Sequence, residues 1–404
     1  MYSGTREASR LESVASTHTM TRKEALRLEY LDGLRALAAL YVVLFHAGDC
    51  FLDAERPLHG FARNVQRGLS FGHDAVAVFI VLSGYCLMLP VARADGVLVR
   101  GVPDYIARRA WRILPPYFAA LLGSLLLIAV SPVLQTPTKT IWADSFPAFE
   151  FGPIASHLLL IHNLFPAWIH TINGPLWSVA TEWQIYFFFP FFLLPIWRRW
   201  GAGASLLFAF ALGSALTFIA PAAANSAATW YLGLFGLGMC AAGIGFASRP
   251  AETWLRERVP WGWVCLAMLA AVACGVTVLI KYWFRFMPYS DALVGAATAS
   301  TLLYLTPHAM RPAEQQKPLL LRLLSSGPLV ALGRFSYSLY LTHLPIVALC
   351  YFHLHRRDLS PNAEMLSLIA LSLPASLLFS YAFFWVFERR FVGAPPAFFR
   401  LRRS

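Results

Sequence analysis

Charged side chains are scarce in this sequence: Asp, Glu, Lys and Arg make up 13% of its 404 residues, about half the share usual in a soluble protein. Because 58% of the residues are apolar, an ordinary soluble fold is excluded. The six cysteines, Cys50, Cys86, Cys240, Cys265, Cys274 and Cys350, form no CxxC pair, so neither a disulfide framework nor a zinc site is expected and they read as small apolar filler. Ser83 is not in a G-x-S-x-G elbow, and no H-E-x-x-H pair, Walker A loop or G-x-G-x-x-G turn occurs, so serine-hydrolase chemistry at Ser83 and zincin or nucleotide-loop readings have no support. Internal repeats and low-complexity tracts are missing too, and the two halves show no inverted pattern of broken helices.

What is present is a succession of apolar runs. A membrane helix needs about 20 predominantly apolar residues, and ten stretches qualify: 33–50, 73–92, 112–132, 177–197, 203–220, 229–247, 262–281, 290–306, 334–352 and 363–387. A shorter run, 154–165, reads as re-entrant or interfacial. The net charge of +12 does not mark a nucleic-acid binder, because Lys and Arg sit in short clusters between the runs. With the amino terminus inside, inner segments hold roughly three times as many basic residues as outer ones, which places both termini in the cytosol. The expectation is an all-α, polytopic transmembrane bundle of about ten spans. It divides into a polar cytosolic tail at 1–27 without a signal peptide, one membrane domain at 28–392 and a basic cytosolic tail at 393–404. Met20 opens a segment that would itself make a plausible start. The longest outer loop, 133–176, is rich in aromatics and holds one basic residue, Lys139.

Ionisable groups inside a membrane are costly and usually mark function. The first span carries Asp32, Arg35 and His46. Eleven helical steps from Arg35 to His46 end about 20° past three full turns, so both face one way, about 16 Å apart along the axis. Asp32 joins that face and is placed to pair with Arg35. His46 suits a general base at neutral pH; a structural histidine bonded to a backbone carbonyl is the alternative. Arg109 and Arg112 lie one turn apart on the third span, and they suit either a phosphorylated cofactor or anionic lipid headgroups. Ser178, Glu182 and Tyr186 recur at i, i+4 and i+8, and Glu182 reads as orienting His46, as a base, or as a packing hydrogen bond. Ser336, Tyr340 and His343 form another stripe, with Pro345 expected to kink the helix beyond them. His73 and Asp74 stand at the outer mouth of the second span, and Ser83-Gly84 reads as a close-contact pair.

In order along the chain these segments resemble the acyltransferase family 3 membrane enzymes, the bacterial group that O-acylates sugars, polysaccharides and some antibiotics. The resemblance rests on Arg35 and His46 with ten residues between them, FIVLSGY at 79–85, Arg109-x-x-Arg112 with ILPPY, WSVATEWQIYF at 177–187, GRFSYSLYLTHLPI at 333–346 and FWVFERRF at 384–391. Arg390 stands where the family's last motif has proline, which puts the end of the tenth helix in question. The resemblance implies transfer of an acyl group, commonly acetyl from acetyl-CoA as co-substrate, to a hydroxyl of a carbohydrate or small-molecule acceptor at the bacterial inner membrane. His46 would be the catalytic base, with Glu182 as a second catalytic candidate, and Arg35, Arg109 and Arg112 would serve the cofactor. Asp32, Tyr186, Ser336, Tyr340 and His343 would contact substrate or support the site. Nothing in the sequence reads as the hydrolase-like outer domain some members carry, which leaves the acceptor open among lipopolysaccharide, exopolysaccharide, glycolipid and small molecule. A transporter or flippase for a polar or lipid-linked substrate is the rival reading.

Overall fold

The structure is a computed structural model that describes residues 28–51, 57–278, 283, 286–312 and 315–393; the readings for residues 1–27 and 394–404 lie outside them. Among the described residues the chain is helical, with no strand. Helix α1 (Glu29–Asp49) is followed by α2 (Gly60–Leu69), α3 (Gly72–Ala92) and the 30-residue α4 (Gly101–Val130). After a short α5 (Phe151–Leu158) come α6 (Leu176–Phe188), a π turn (Phe189–Leu193), α7 (Leu194–Trp200), α8 (Ala202–Ile219) and α9 (Pro221–Ser226). The remainder is α10 (Tyr231–Phe246), α11 (Pro250–Arg258), α12 (Trp261–Val278), α13 (Met287–Ala309), α14 (Leu319–Leu324), α15 (Gly327–Gly333), α16 (Ser336–His355) and α17 (Pro361–Phe383). A second π turn (Phe384–Glu388) and a 3₁₀ turn (Arg389–Phe391) close it.

Each of the ten apolar stretches coincides with a helix, and by length and apolarity seven to nine of these can cross a membrane. Two departures have local causes. The sixth stretch yields the 16-residue α10, which turns by 85° into α11 rather than continuing. The eighth yields α13, a full-length helix whose apolarity is diluted by buried Ser290, Asp291, Thr298, Ser300, Thr301 and Thr306. Helix α4 begins a full three turns ahead of the expected 112, because Pro103 sits in its first turn, where a missing N–H costs nothing. It runs on through Pro115-Pro116. Helix α16 likewise continues through Pro345; the sharp bend, 73°, falls before it, between α15 and α16. Arg390 sits within the closing 3₁₀ turn, so the last helix ends without a proline stop.

Without a water-driven hydrophobic effect between them, membrane helices associate through close packing and polar contacts. Small residues supply the first. A Cβ on Gly84 of α3 would strike the Phe235 carbonyl of α10, and one on Gly238 would strike the Val81 carbonyl, so the two backbones cross in mutual contact. Gly33 and Gly333 do the same where α1 meets α14 and α15. Thr306 supplies the second: it stands 2.8 Å from the Tyr30 hydroxyl and 2.6 Å from the Tyr85 hydroxyl, joining α1, α3 and α13.

The segment between α4 and α6 folds over one end of the bundle. Asn173 donates to Ser124 Oγ (3.1 Å) and to the Leu341 carbonyl (2.9 Å), and the buried Trp142 donates to the Leu134 carbonyl. Helix α5 is too short to cross a membrane, as expected for the 154–165 run. Gly84→Val is expected to force α3 and α10 apart and destabilise the fold by about 1–3 kcal/mol; thermal unfolding in detergent is the check, and an unchanged midpoint would argue against backbone contact there.

Candidate active site

Two cavities are lined by the candidate residues. The first, of about 710 Å³, is lined by five arginines, Arg35, Arg109, Arg112, Arg334 and Arg389, against two carboxylates, Asp32 and Glu182. The second, of about 460 Å³, is lined by His46, His73, His170 and Asp49 among apolar and aromatic walls that include Phe45, Trp177 and Met287. Among the described residues, Val76 and Tyr340 alone line both. Arg35 and His46, about 16 Å apart along one helix face, thus line one chamber each.

Each arginine is held differently. Arg35 donates to Asp32 Oδ1 (3.2 Å), the expected pair, and to Cys86 Sγ (3.0 Å), so Cys86 lines the cavity rather than serving as filler. Arg112 Nη2 lies 2.9 Å from Oε1 of the fully buried Glu388. The other Glu388 oxygen accepts from the Ser338 backbone N–H (3.1 Å) and hydroxyl (2.5 Å). Arg108, between them in sequence, pairs with Asp104. Arg109 makes no ion pair among the described residues, and its Nε is buried without a hydrogen-bond partner. Its guanidinium thus keeps capacity for a ligand.

The α6 stripe faces the arginine cavity as its spacing requires. Glu182 accepts the Tyr186 hydroxyl at 2.6 Å, Tyr186 is 3.2 Å from Ser83 Oγ, and Ser178 Oγ is 2.6 Å from the Tyr340 hydroxyl. Ser83 thus lines the arginine cavity, while Gly84 makes the close helix contact. Ser336 lines the same cavity while donating to the Gly333 carbonyl at the bend before α16.

Glu182 does not stand beside His46. Helix α6 enters at Pro175 and Trp177, which line the histidine cavity, and by Glu182 it has descended into the arginine cavity. What stands behind His46 is His343, ring to ring at 5.1 Å. His343 is fully buried, its Nδ1 spent on the Leu339 and Tyr340 carbonyls at 3.0 and 2.8 Å. Its Nε2 and the Nδ1 of His46 are both buried without partners. His46 keeps Nε2 as the nitrogen not enclosed in this way.

Sequence reasoning missed three groups. Glu388 lay inside a recognised motif, and its buried position follows from the π turn that re-aims it. Arg334 and Arg389 also lay inside recognised motifs, but neither was singled out for the site. The third group is Asp291, fully buried on α13, which lies 3.2 Å from His73 Nδ1 and accepts from Trp230 Nε1 at 2.8 Å. It fixes His73 in a ring stack with Trp177 at 5.6 Å. A lone carboxylate in an apolar run was the available signal.

The chain matches the family described as an acyltransferase domain over residues 28–385. By this match the protein is an acyltransferase, and the chain belongs to acyltransferase family 3. It is 28% identical to Acyltransferase MdmB of Streptomyces mycarofaciens over 348 residues, 80% of this chain and 79% of that one. A Staphylococcus aureus (strain COL) protein, named provisionally as an O-acetyltransferase, is 27% identical over 169 residues, covering 41% of this chain and 24% of its own length. Protein 2 in the picA locus of Rhizobium radiobacter is 27% identical over 190 residues, 46% of this chain and 89% of that one. No solved structure matches.

Two predictions follow from the buried polar groups. Glu388→Ala leaves Arg112 without its partner and Ser338 without its acceptor, and stability is expected to fall by about 3–5 kcal/mol, read as thermal unfolding; a change within experimental error would mean the pair is dispensable. In the segment over the bundle end, His157 and His162 stack at 3.7 Å and 10°. Burial pushes His157 down to about 4 and His162 also well below its ordinary value. The unfolded segment gains protons below about pH 6.5 while the folded one does not, so stability on the order of 3 kcal/mol is lost between about pH 6.5 and 4. Limited proteolysis between residues 131 and 175 should quicken at pH 5 relative to pH 7.5, and equal rates would refute the assignment.

Proposed function

We propose that the protein moves an acyl group, acetyl in the first instance, from acyl-CoA to a hydroxyl of a carbohydrate or other cell-envelope acceptor. The observation that carries this reading is the meeting of an arginine-rich cavity with a histidine-bearing one at Val76 and Tyr340. CoA carries a 3′-phosphate and a pyrophosphate, and guanidinium forks match phosphate oxygens. Arg109, free of carboxylate, and Arg112 and Arg35, each braced by one, form the receiving surface. The pantetheine arm extends along the cavity wall toward Tyr340, and the acceptor hydroxyl enters the histidine cavity beside His46.

In this reading the ten apolar helices are ten crossings, with both termini and the arginine cavity on the cytosolic side of a bacterial inner membrane. The bias of basic residues toward those segments supports it, as does the cytosolic supply of CoA thioesters. Aromatic walls at Trp177 and Phe45 suit the apolar face of a sugar ring, while His73 and His170 suit its hydroxyls. A transporter or flippase would also use a charged bundle interior, but it has no need of a chamber for a phosphorylated donor that stops at a neighbouring imidazole.

Incubating the purified protein with labelled acetyl-CoA separates the two. The enzyme should bind the thioester and release free CoA thiol, whereas a transporter should leave it untouched. His46→Ala should lower thiol release by at least about 100-fold, the scale of a lost general base, with expression unchanged. Arg109→Ala and Arg112→Ala should each weaken CoA binding about 10-fold or more. Full activity of the His46 variant, or unaltered affinity in both arginine variants, would overturn these roles.

A further inference from the structure

We propose that Tyr340 is a catalytic residue whose phenol stabilises the oxyanion formed on the thioester carbonyl during transfer. The inference rests on the proposed donor and acceptor chambers and goes beyond them by fixing where the reacting carbon sits. If CoA fills the arginine cavity and His46 acts from the histidine cavity, the thioester must lie where the two meet. Two side chains line both: Val76, which has no polar hydrogen, and Tyr340, which has one. Both are at least nine-tenths buried, and a buried setting is the one in which an aimed donor stabilises developing charge most.

The surroundings prepare that hydroxyl. Phe79 packs edge-on against the Tyr340 ring at 5.7 Å, and the His343 ring is 6.0 Å away, which hold the phenol across the junction from α16 toward α6. Its oxygen lies 2.6 Å from Ser178 Oγ, and Ser178 also reaches the Pro175 carbonyl at 3.3 Å. Ser178 has two uses for its one proton. Donating to Pro175, it accepts from the phenol; turned toward the phenol oxygen, it frees the phenolic proton for another acceptor. The hydroxyl is therefore held in place yet exchangeable.

The step balances as follows. His46 Nε2 takes the proton of the acceptor hydroxyl as its oxygen bonds to the thioester carbon, and the carbonyl π pair moves onto oxygen, where the Tyr340 O–H donates to it. The pair returns, the carbon–sulfur bond breaks, and the departing thiolate takes the proton from the His46 imidazolium. The products are the ester and free CoA thiol, with His46 and Tyr340 unchanged.

The test measures release of free thiol from acetyl-CoA by membranes carrying the full-length protein, set against membranes lacking it, together with CoA affinity of the purified protein. Tyr340→Phe keeps the ring and its packing and should lower kcat by about 10²–10³-fold, leaving CoA affinity and the unfolding midpoint within error of wild type. Ser178→Ala, which keeps the phenolic donor, should cost no more than a few-fold. Replacing Tyr340 by 3-fluorotyrosine, a one-atom change with a more acidic phenol, should alter kcat without altering CoA affinity. This last variant decides the matter if Tyr340→Phe fails to fold. A Tyr340→Phe enzyme within about threefold of wild-type kcat, or a 3-fluorotyrosine enzyme with unchanged kcat, would overturn the proposal while leaving the donor reading intact. Failure of the wild-type protein to bind or consume acetyl-CoA would overturn both.

Discussion

A charge inside an apolar bundle must be paired, hydrogen-bonded or given access to a polar cavity, and the arrangement of this interior follows from that requirement. Asp32 holds Arg35, Glu388 holds Arg112, and Asp291 holds His73. Each pairing joins separate helices or adjacent turns, so the polar groups also set helix positions. Three of the buried polar atoms without a hydrogen-bond partner, Arg109 Nε, His46 Nδ1 and His343 Nε2, border the two cavities or stand directly behind them.

Close backbone contact makes such pairing possible. Glycines at 33, 84, 238 and 333 let α1, α3, α10, α14 and α15 approach until carbonyls meet the space a methyl would fill. That brings Tyr30 and Tyr85 to one threonine and leaves the α3, α6 and α16 faces to enclose the cavities. The π turns after α6 and α17 shift the side chains that follow them, and insertions of this kind often accompany functional positions. The second one delivers Glu388 to Arg112.

Helical periodicity read from residue spacing captured much of this. The shared face of Arg35 and His46, their separation, the Asp32 pairing and the α6 stripe all depend on 3.6 residues per turn, which is local and legible. Depth between helices is not. Glu182 was expected near His46 because both lie well inside apolar runs, but the level at which α6 passes α1 is set by the folded segment before it, anchored through Asn173. Pro345 was expected to bend α16, while the bend falls at Gly333, where α15 must turn to pack on α1. Glu388 and Asp291 have partners more than 200 residues away in the chain, a relation no spacing rule reaches.

The central claim is that the acyl end of CoA reaches the junction of the two cavities. Bromoacetyl-CoA, whose reactive carbon occupies the acyl position, measures this directly through alkylation of a cysteine placed at the junction by Val76→Cys, read by mass spectrometry of the purified protein. Labelling at position 76 that excess CoA prevents is the predicted result. Labelling confined to Cys86, or to no cavity cysteine, would contradict the account.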